Sequence, residues 1–142
     1  MYSFHKSILV GAIYTATVLN PVLAQDGTVK PTNPLLQKST LQYQAPPFDK
    51  IKDEHFKPAF EAGLKLHDAE IEKISNNPDA PTFANTVLAL ELSGQDLYRA
   101  MGVFFKMTSA NTNPTLQAIE EEYAPIFSAH SDNIYLNSLI YR

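Results

Sequence analysis

The sequence predicts an all-α protein, and three observations carry that expectation. Apolar residues recur every three or four positions over three long stretches, which is helical periodicity. No stretch reads as a strand or a hairpin, and no internal repeat is visible. Asparagine, threonine and proline stand where helices should begin or end. The chain has 142 residues, 44% apolar and 11% aromatic, which argues against intrinsic disorder and allows one modest domain. It has no cysteine, so disulfide scaffolds, thiolate metal sites and cysteine nucleophiles are excluded. Fifteen acidic against eleven basic residues, with no basic run, make nucleic acid an unfavourable partner.

The first 24 residues read as a targeting segment. Lys6 precedes an uncharged, mostly apolar run over Ile8–Leu19, Pro21 breaks it, and Val22-Leu23-Ala24 offers small or aliphatic residues before a cleavage point. A cleaved signal peptide is expected, with the cut between Ala24 and Gln25 and a periplasmic destination. The apolar run falls short of the roughly twenty residues a membrane span needs, so no stable membrane insertion is expected after cleavage. An uncleaved anchor or a buried helix is the competing reading.

Residues 25–50 form a proline-rich extended strap with Pro31, Pro34, Pro46 and Pro47, and Tyr43 and Phe48 are candidates to pin it to a neighbouring surface. Residues 51–142 are the helical part. A first helix is expected from Asp53 to Ser75, with Phe56, Phe60, Leu64, His67, Ile71 and Ile74 on one stripe. Asp53 is its candidate cap, Pro58 is tolerable near the first turn, and Asn76-Asn77-Pro78 is its stop. A second, long helix should follow Thr82 as cap, with Phe83, Val87, Leu90, Gly94, Leu97, Met101, Phe104 and Thr108 on its buried face. Gly94 is either a point of close approach or a break. The apolar phase is unchanged across it, which favours one continuous helix. Ser109–Asn113 reads as a turn, and Asn113-Pro114 joins a capping side chain to proline at the first helical position. The third helix would bury Leu116, Ile119, Tyr123, Ile126, His130 and Ile134, with a kink at Pro125 and Glu120–Glu122 in solvent. Residues 134–141 are then rich in large apolar side chains with no partner in the pattern, so an incomplete helical domain is expected, with further polypeptide covering Ile134–Tyr141.

No self-contained active site emerges from the residues themselves, so no catalytic and no metal-binding residue is assigned. His5 lies in the targeting segment, and no two of His55, His67 and His130 have metal-ligand spacing. His67 and Glu70 are three apart on a helix, but two ligands without a third are a weak signal, and a hydrogen-bonded structural histidine is the favoured reading. His130 on an apolar stripe reads as a core or interface residue. The carboxylate groups at Asp53-Glu54, Glu70-Glu72 and Glu120–Glu122 look solvated, and Ser109, Ser128 and Ser131 have no nucleophile-elbow context.

Several strings nevertheless resemble the amino-terminal region of M3-family zinc metallopeptidases. They are Asn33-Pro34-Leu35-Leu36, Ile51-Lys52 with His55-Phe56, Pro58-Ala59-Phe60-Glu61-Ala62-Gly63, Asn76-Asn77-Pro78, and Pro81-Thr82-Phe83 with Asn85-Thr86. The runs Phe104–Thr112 and Ala129–Asn137 look most like the peptidyl-dipeptidase (dipeptidyl carboxypeptidase) branch. That resemblance implies an almost wholly helical, clam-like enzyme with zinc as cofactor, held by an HExxH helix and a downstream glutamate. The zinc-bound water would attack the peptide carbonyl, releasing carboxyl-terminal dipeptides from short peptide substrates. No HExxH occurs in this sequence, so no catalytic, metal or substrate-binding residue can be carried over. The expectation is therefore an amino-terminal fragment of such an enzyme, inactive alone and binding no zinc itself. The alternative is a stand-alone exported helical interaction module derived from one.

Overall fold

The computed structural model describes residues 33–140, which lie in one compact unit. The targeting segment and its Ala24–Gln25 cleavage point lie outside the described residues. Among the described residues there is no strand, and the long elements are helices. They are α1 (Phe56–Ser75), the short α2 (Ala89–Leu92), α3 (Gln95–Asn111) and α4 (Pro114–Tyr135). No helix among them is long and apolar enough to cross a membrane.

The strap, described from Asn33 onward, is irregular apart from two single-turn 3-10 segments, Pro34–Leu36 and Gln42–Gln44. Its anchor differs from expectation: Tyr43 is 92% exposed and Phe48 half-exposed, whereas Leu35 is buried in the core. Leu35 can reach inward because Asn33 caps its turn, accepting from the Leu35 amide at 3.0 Å, and donates to the His55 carbonyl at 2.7 Å. Arg99 of α3 then donates from Nη2 to the Leu35 carbonyl at 3.3 Å, fixing the strap to the helices.

α1 begins after a 3-10 turn over Asp53–His55 and buries Phe56, Phe60, His67 and Ile71 of the expected stripe. Asp53 does not cap this helix. Its Oδ2 accepts from Asn113 Nδ2 at 2.9 Å, so it braces the start of α4 instead. Asn113 in turn accepts from the Leu116 amide at 2.9 Å, the cap its sequence context predicts. Asn113→Ala removes both bonds and is expected to cost about 1–2 kcal/mol in chemical denaturation, against a few tenths for an exposed neutral site.

The expected continuous second helix is two pieces. Thr82 caps as expected, its hydroxyl accepting from the Asn85 amide at 3.1 Å, and a π-helical segment Phe83–Leu88 runs into α2. Ser93 is then extended and Gly94 left-handed with φ of 68°, and α3 starts afresh at Gln95. Phe83 and Val87, expected in the core, are mostly exposed, because the break at Ser93-Gly94 separates their segment from the helical phase of α3. The third expectation also shifts: α3 continues to Asn111, so the connection is Thr112-Asn113 rather than Ser109–Asn113. α4 runs through Pro125 as one helix, and after Tyr123 its buried face continues at Phe127 while Ile126 is 41% exposed.

The core is an aromatic knot between α1, α3 and α4. Phe60 lies edge-on to Phe104 at 5.2 Å and to Phe127 at 4.9 Å, with Tyr123 at 5.1 Å and Phe56 at 6.0 Å between ring centroids. Gly63 lets α1 approach α3 closely, since a Cβ there would come within 2.9 Å of the Leu97 Cα. At the carboxyl-terminal end Ile140 is buried, unlike the uncovered side chain expected, whereas Tyr135 and Leu136 are largely exposed; Tyr141 lies outside the described residues.

Candidate functional site

Beyond the aromatic core, α1 and α4 each bring a histidine to the break between α2 and α3. Helical spacing on α1 puts His67 on the same buried face as Phe56, Phe60 and Ile71, and it is 2% exposed. Its Nε2 lies 3.1 Å from the Ser93 Oγ and its Nδ1 3.0 Å from the His130 Nε2. On the far side, His130 Nδ1 lies 3.1 Å from Asp68 Oδ1. The Ser93 hydroxyl also donates to the Leu90 carbonyl at 2.7 Å. An unbroken polar chain therefore runs from the exposed Asp68 carboxylate through two imidazoles to a buried hydroxyl.

Gly94 makes room for this chain. A Cβ on it would sit 2.6 Å from His67 Cε1 and 2.7 Å from Nδ1, so no other residue lets the ring stay in place. The Gly94 amide donates to Glu70 Oε2 at 2.7 Å. That carboxylate thus sits at the positive end of α3, where the helix dipole favours it. The Tyr98 ring closes the other side, with its centroid 5.5 Å from that of His67. Burial, and then the neighbouring His130, push the His67 pKa below 6.5, against the opposite pull of Glu70 and Asp68. Burial likewise raises the Tyr98 phenol, with Tyr135 adding to the effect.

These contacts decide what the residues singled out in the sequence can do. His67 is a hydrogen-bonded buried histidine, the reading favoured for it, and Glu70 turns away to the Gly94 amide. Both imidazole nitrogens of His67 are engaged, and among the described residues no three histidine, aspartate or glutamate side chains are gathered as a metal-binding group. The described residues therefore present no zinc-ligand set. His55 accepts from the Lys52 amide through Nδ1 at 3.1 Å, a local capping contact. Glu122 pairs with Lys57 at the surface, and the Tyr123 hydroxyl donates to Glu61 at 3.4 Å. Ser93 carries the hydroxyl at the end of the chain and donates its proton to a backbone carbonyl, so the arrangement ties elements together. A shallow groove of about 290 Å³ beside it is lined by Glu70, Lys73, Asn85, Leu92 and Ser93.

The sequence pattern misses Ser93 and Asp68, and it carries one usable signal for the first. Ser93-Gly94 is a turn dipeptide, masked here by the apolar residues that keep helical phase on both sides. Nothing in the sequence pairs His67 with His130, which are 63 positions apart.

No family model matches the chain. Its sequence is 53% identical over 110 residues to a dipeptidyl carboxypeptidase of Salmonella typhimurium (strain LT2), and 46% identical over 109 residues to a dipeptidyl carboxypeptidase of Escherichia coli (strain K12). The alignments cover 78% and 77% of this chain and 16% of each relative, so the chain spans about a sixth of the length of the curated proteins it matches.

Proposed function

We propose that this chain is the amino-terminal part of a zinc-dependent peptidyl-dipeptidase of the M3 type, a reading supported by its similarity to a dipeptidyl carboxypeptidase over 78% of its length. Such an enzyme cuts short peptides and releases dipeptides from their carboxyl ends. The observation that carries this reading is identity above 45% sustained over more than 100 residues to two proteins so named. In this reading zinc and the catalytic base are held by polypeptide beyond these residues, since the sequence contains no HExxH and its buried histidines are engaged with each other and with Ser93. The described helices contribute a wall around an aromatic core. The rest of the enzyme covers Tyr135 and Leu136, a role that their exposure supports. Export to the periplasm, with cleavage between Ala24 and Gln25, is part of this reading and rests on the pattern of the first 24 residues.

A chimera tests the assignment. Replacing the aligned segment of the Salmonella typhimurium dipeptidyl carboxypeptidase with the matching 110 residues of this chain is expected to keep dipeptide release within about tenfold of the parent, as a wall of largely conserved packing should. A folded chimera without activity would overturn the assignment. The 142-residue chain alone, given zinc and a short peptide, is expected to release no dipeptide, and measurable turnover would overturn its proposed inactivity. The alternative, a stand-alone exported interaction module, rests on the same exposed Tyr135 and Leu136 and predicts a stable self-associated species of the isolated chain in sedimentation.

A further inference from the structure

The π-helical segment and α2, which together span residues 83–92, carry their amphipathic pattern inside out. Phe83, Val87, Leu88 and Leu92 are exposed, Phe83 to 71%, whereas Asn85, Thr86, Ala89 and Leu90 are the partly buried positions. A helix on the surface of a finished domain does the reverse and turns its large apolar side chains inward. Both ends of the segment fix this orientation. At its start the Thr82 amide donates to Asn85 Oδ1 at 2.7 Å, and the Asn85 amide donates to the Thr82 hydroxyl at 3.1 Å. Asn85 Nδ2 also donates to the Ala80 carbonyl at 3.0 Å, and the Thr86 hydroxyl donates to Asn85 Oδ1 at 2.9 Å. At its end Ser93 is tied to the Leu90 carbonyl and to His67, and the left-handed Gly94 turns the chain into α3. Rotating the segment to bury Phe83 and Val87 against α1 would break these bonds. The fold therefore holds the apolar face outward.

We propose that the face made by Phe83, Val87, Leu88 and Leu92 is an internal packing surface of the enzyme, covered by the polypeptide that follows Arg142. This rests on the reading of the chain as the amino-terminal part of a longer peptidase. Three observations select that occupant. The two relatives have ample polypeptide to supply it, since the aligned region is 16% of each. The last described residues lead to the right place: Leu139 and Ile140 line a groove of about 450 Å³ together with Ala80, Pro81, Asn85 and Thr86. Polypeptide continuing from there emerges at the edge of the apolar face. The composition is also that of a permanently covered surface. Glu91 is the single charged residue over residues 83–92, and no lysine or arginine occurs between Lys73 and Arg99. Depletion of charge marks the buried centre of an interface, and obligate interfaces are the more hydrophobic class. An anionic lipid surface would call for the basic side chains that this stretch lacks.

Val87→Lys places a charge on this face and tests what covers it. In the 142-residue chain the side chain stands in solvent, so amide exchange over residues 83–92 is expected to stay within about twofold of the parent. In the chimera with the Salmonella typhimurium relative, the same amides are expected to exchange at least about tenfold more slowly than in the chain alone. Val87→Lys should restore the faster exchange there and leave α1 around Phe60 unchanged. Equal exchange in chain and chimera, or a chimera indifferent to Val87→Lys, would overturn the proposal even in an active enzyme. Slowed exchange in a folded but inactive chimera would support the covered face while overturning the peptidase assignment, so the two fail separately. Sedimentation of the 142-residue chain tests a second copy as the occupant. A dimer that Val87→Lys dissociates would overturn the proposal, and no association through this face is the expected result.

Discussion

Phe60→Ala is expected to lower stability by about 3–5 kcal/mol, the largest loss of any single truncation in this chain. The ring is fully buried and stands at the centre of the aromatic knot, with Phe56, Phe104, Tyr123 and Phe127 around it. Two costs add. Removing the ring forfeits its burial, and the surrounding rings belong to three different helices, so they cannot close the cavity without moving those helices. Domains of this kind have about 5–15 kcal/mol in total, so the variant should approach the unfolding threshold. Phe60→Leu keeps most of the volume and is expected to lose about half as much. Denaturant titration followed by circular dichroism reads both, and a loss below about 1 kcal/mol for the alanine variant would show that the knot does not hold the three helices together.

Gly94→Ala is expected to cost about 2–5 kcal/mol, although only one methyl group is added. The left-handed backbone at 68° accounts for about 1–2 kcal/mol of that. The rest is steric, because the new Cβ would meet His67 at 2.6 Å and Tyr98 at 2.8 Å. Pushing the His67 ring aside also breaks its contacts with Ser93 and His130, so the damage spreads from a turn to two helices. The clash gives a coupling that can be measured. In the double variant with His67→Ala the clash with the imidazole disappears while that with Tyr98 remains, and the combined loss is expected to fall short of the sum of the two single losses by about 1 kcal/mol. Strict additivity would mean that Gly94 acts independently of His67. A continuous helix through this position predicts the opposite sign, since alanine replaces glycine favourably inside a helix.

Much of the molecule was legible from local chemistry. The caps Thr82 and Asn113 act through side chains that satisfy free amides one turn on, a relation contained within four residues. Phe56, Phe60, His67 and Ile71 are buried as their spacing requires, since one helix face needs no knowledge of what covers it. Asn33-Pro34 has the same cap-and-proline form as Asn113-Pro114 and starts a turn for the same reason, though only one turn long. The similarity to dipeptidyl carboxypeptidases was legible too, in runs such as Asn33–Leu36 and Phe104–Thr112 that carry more information than periodicity does.

What the sequence by itself determined, then, is the helical class, the caps, and the similarity to dipeptidyl carboxypeptidases. Only the tertiary structure decided where the second helix breaks, which side of α4 follows Tyr123, and which histidines meet. The division has a physical cause. Capping and amphipathic spacing act between residues a few positions apart, and the chain states them directly. Gly94 breaks the helix because His67, on another helix, occupies the space its side chain would need, and Phe127 replaces Ile126 because Phe60 is there to receive it. The contact between His67 and His130 is likewise a property of neither residue, and it exists only because folding closes the 63-position gap between them.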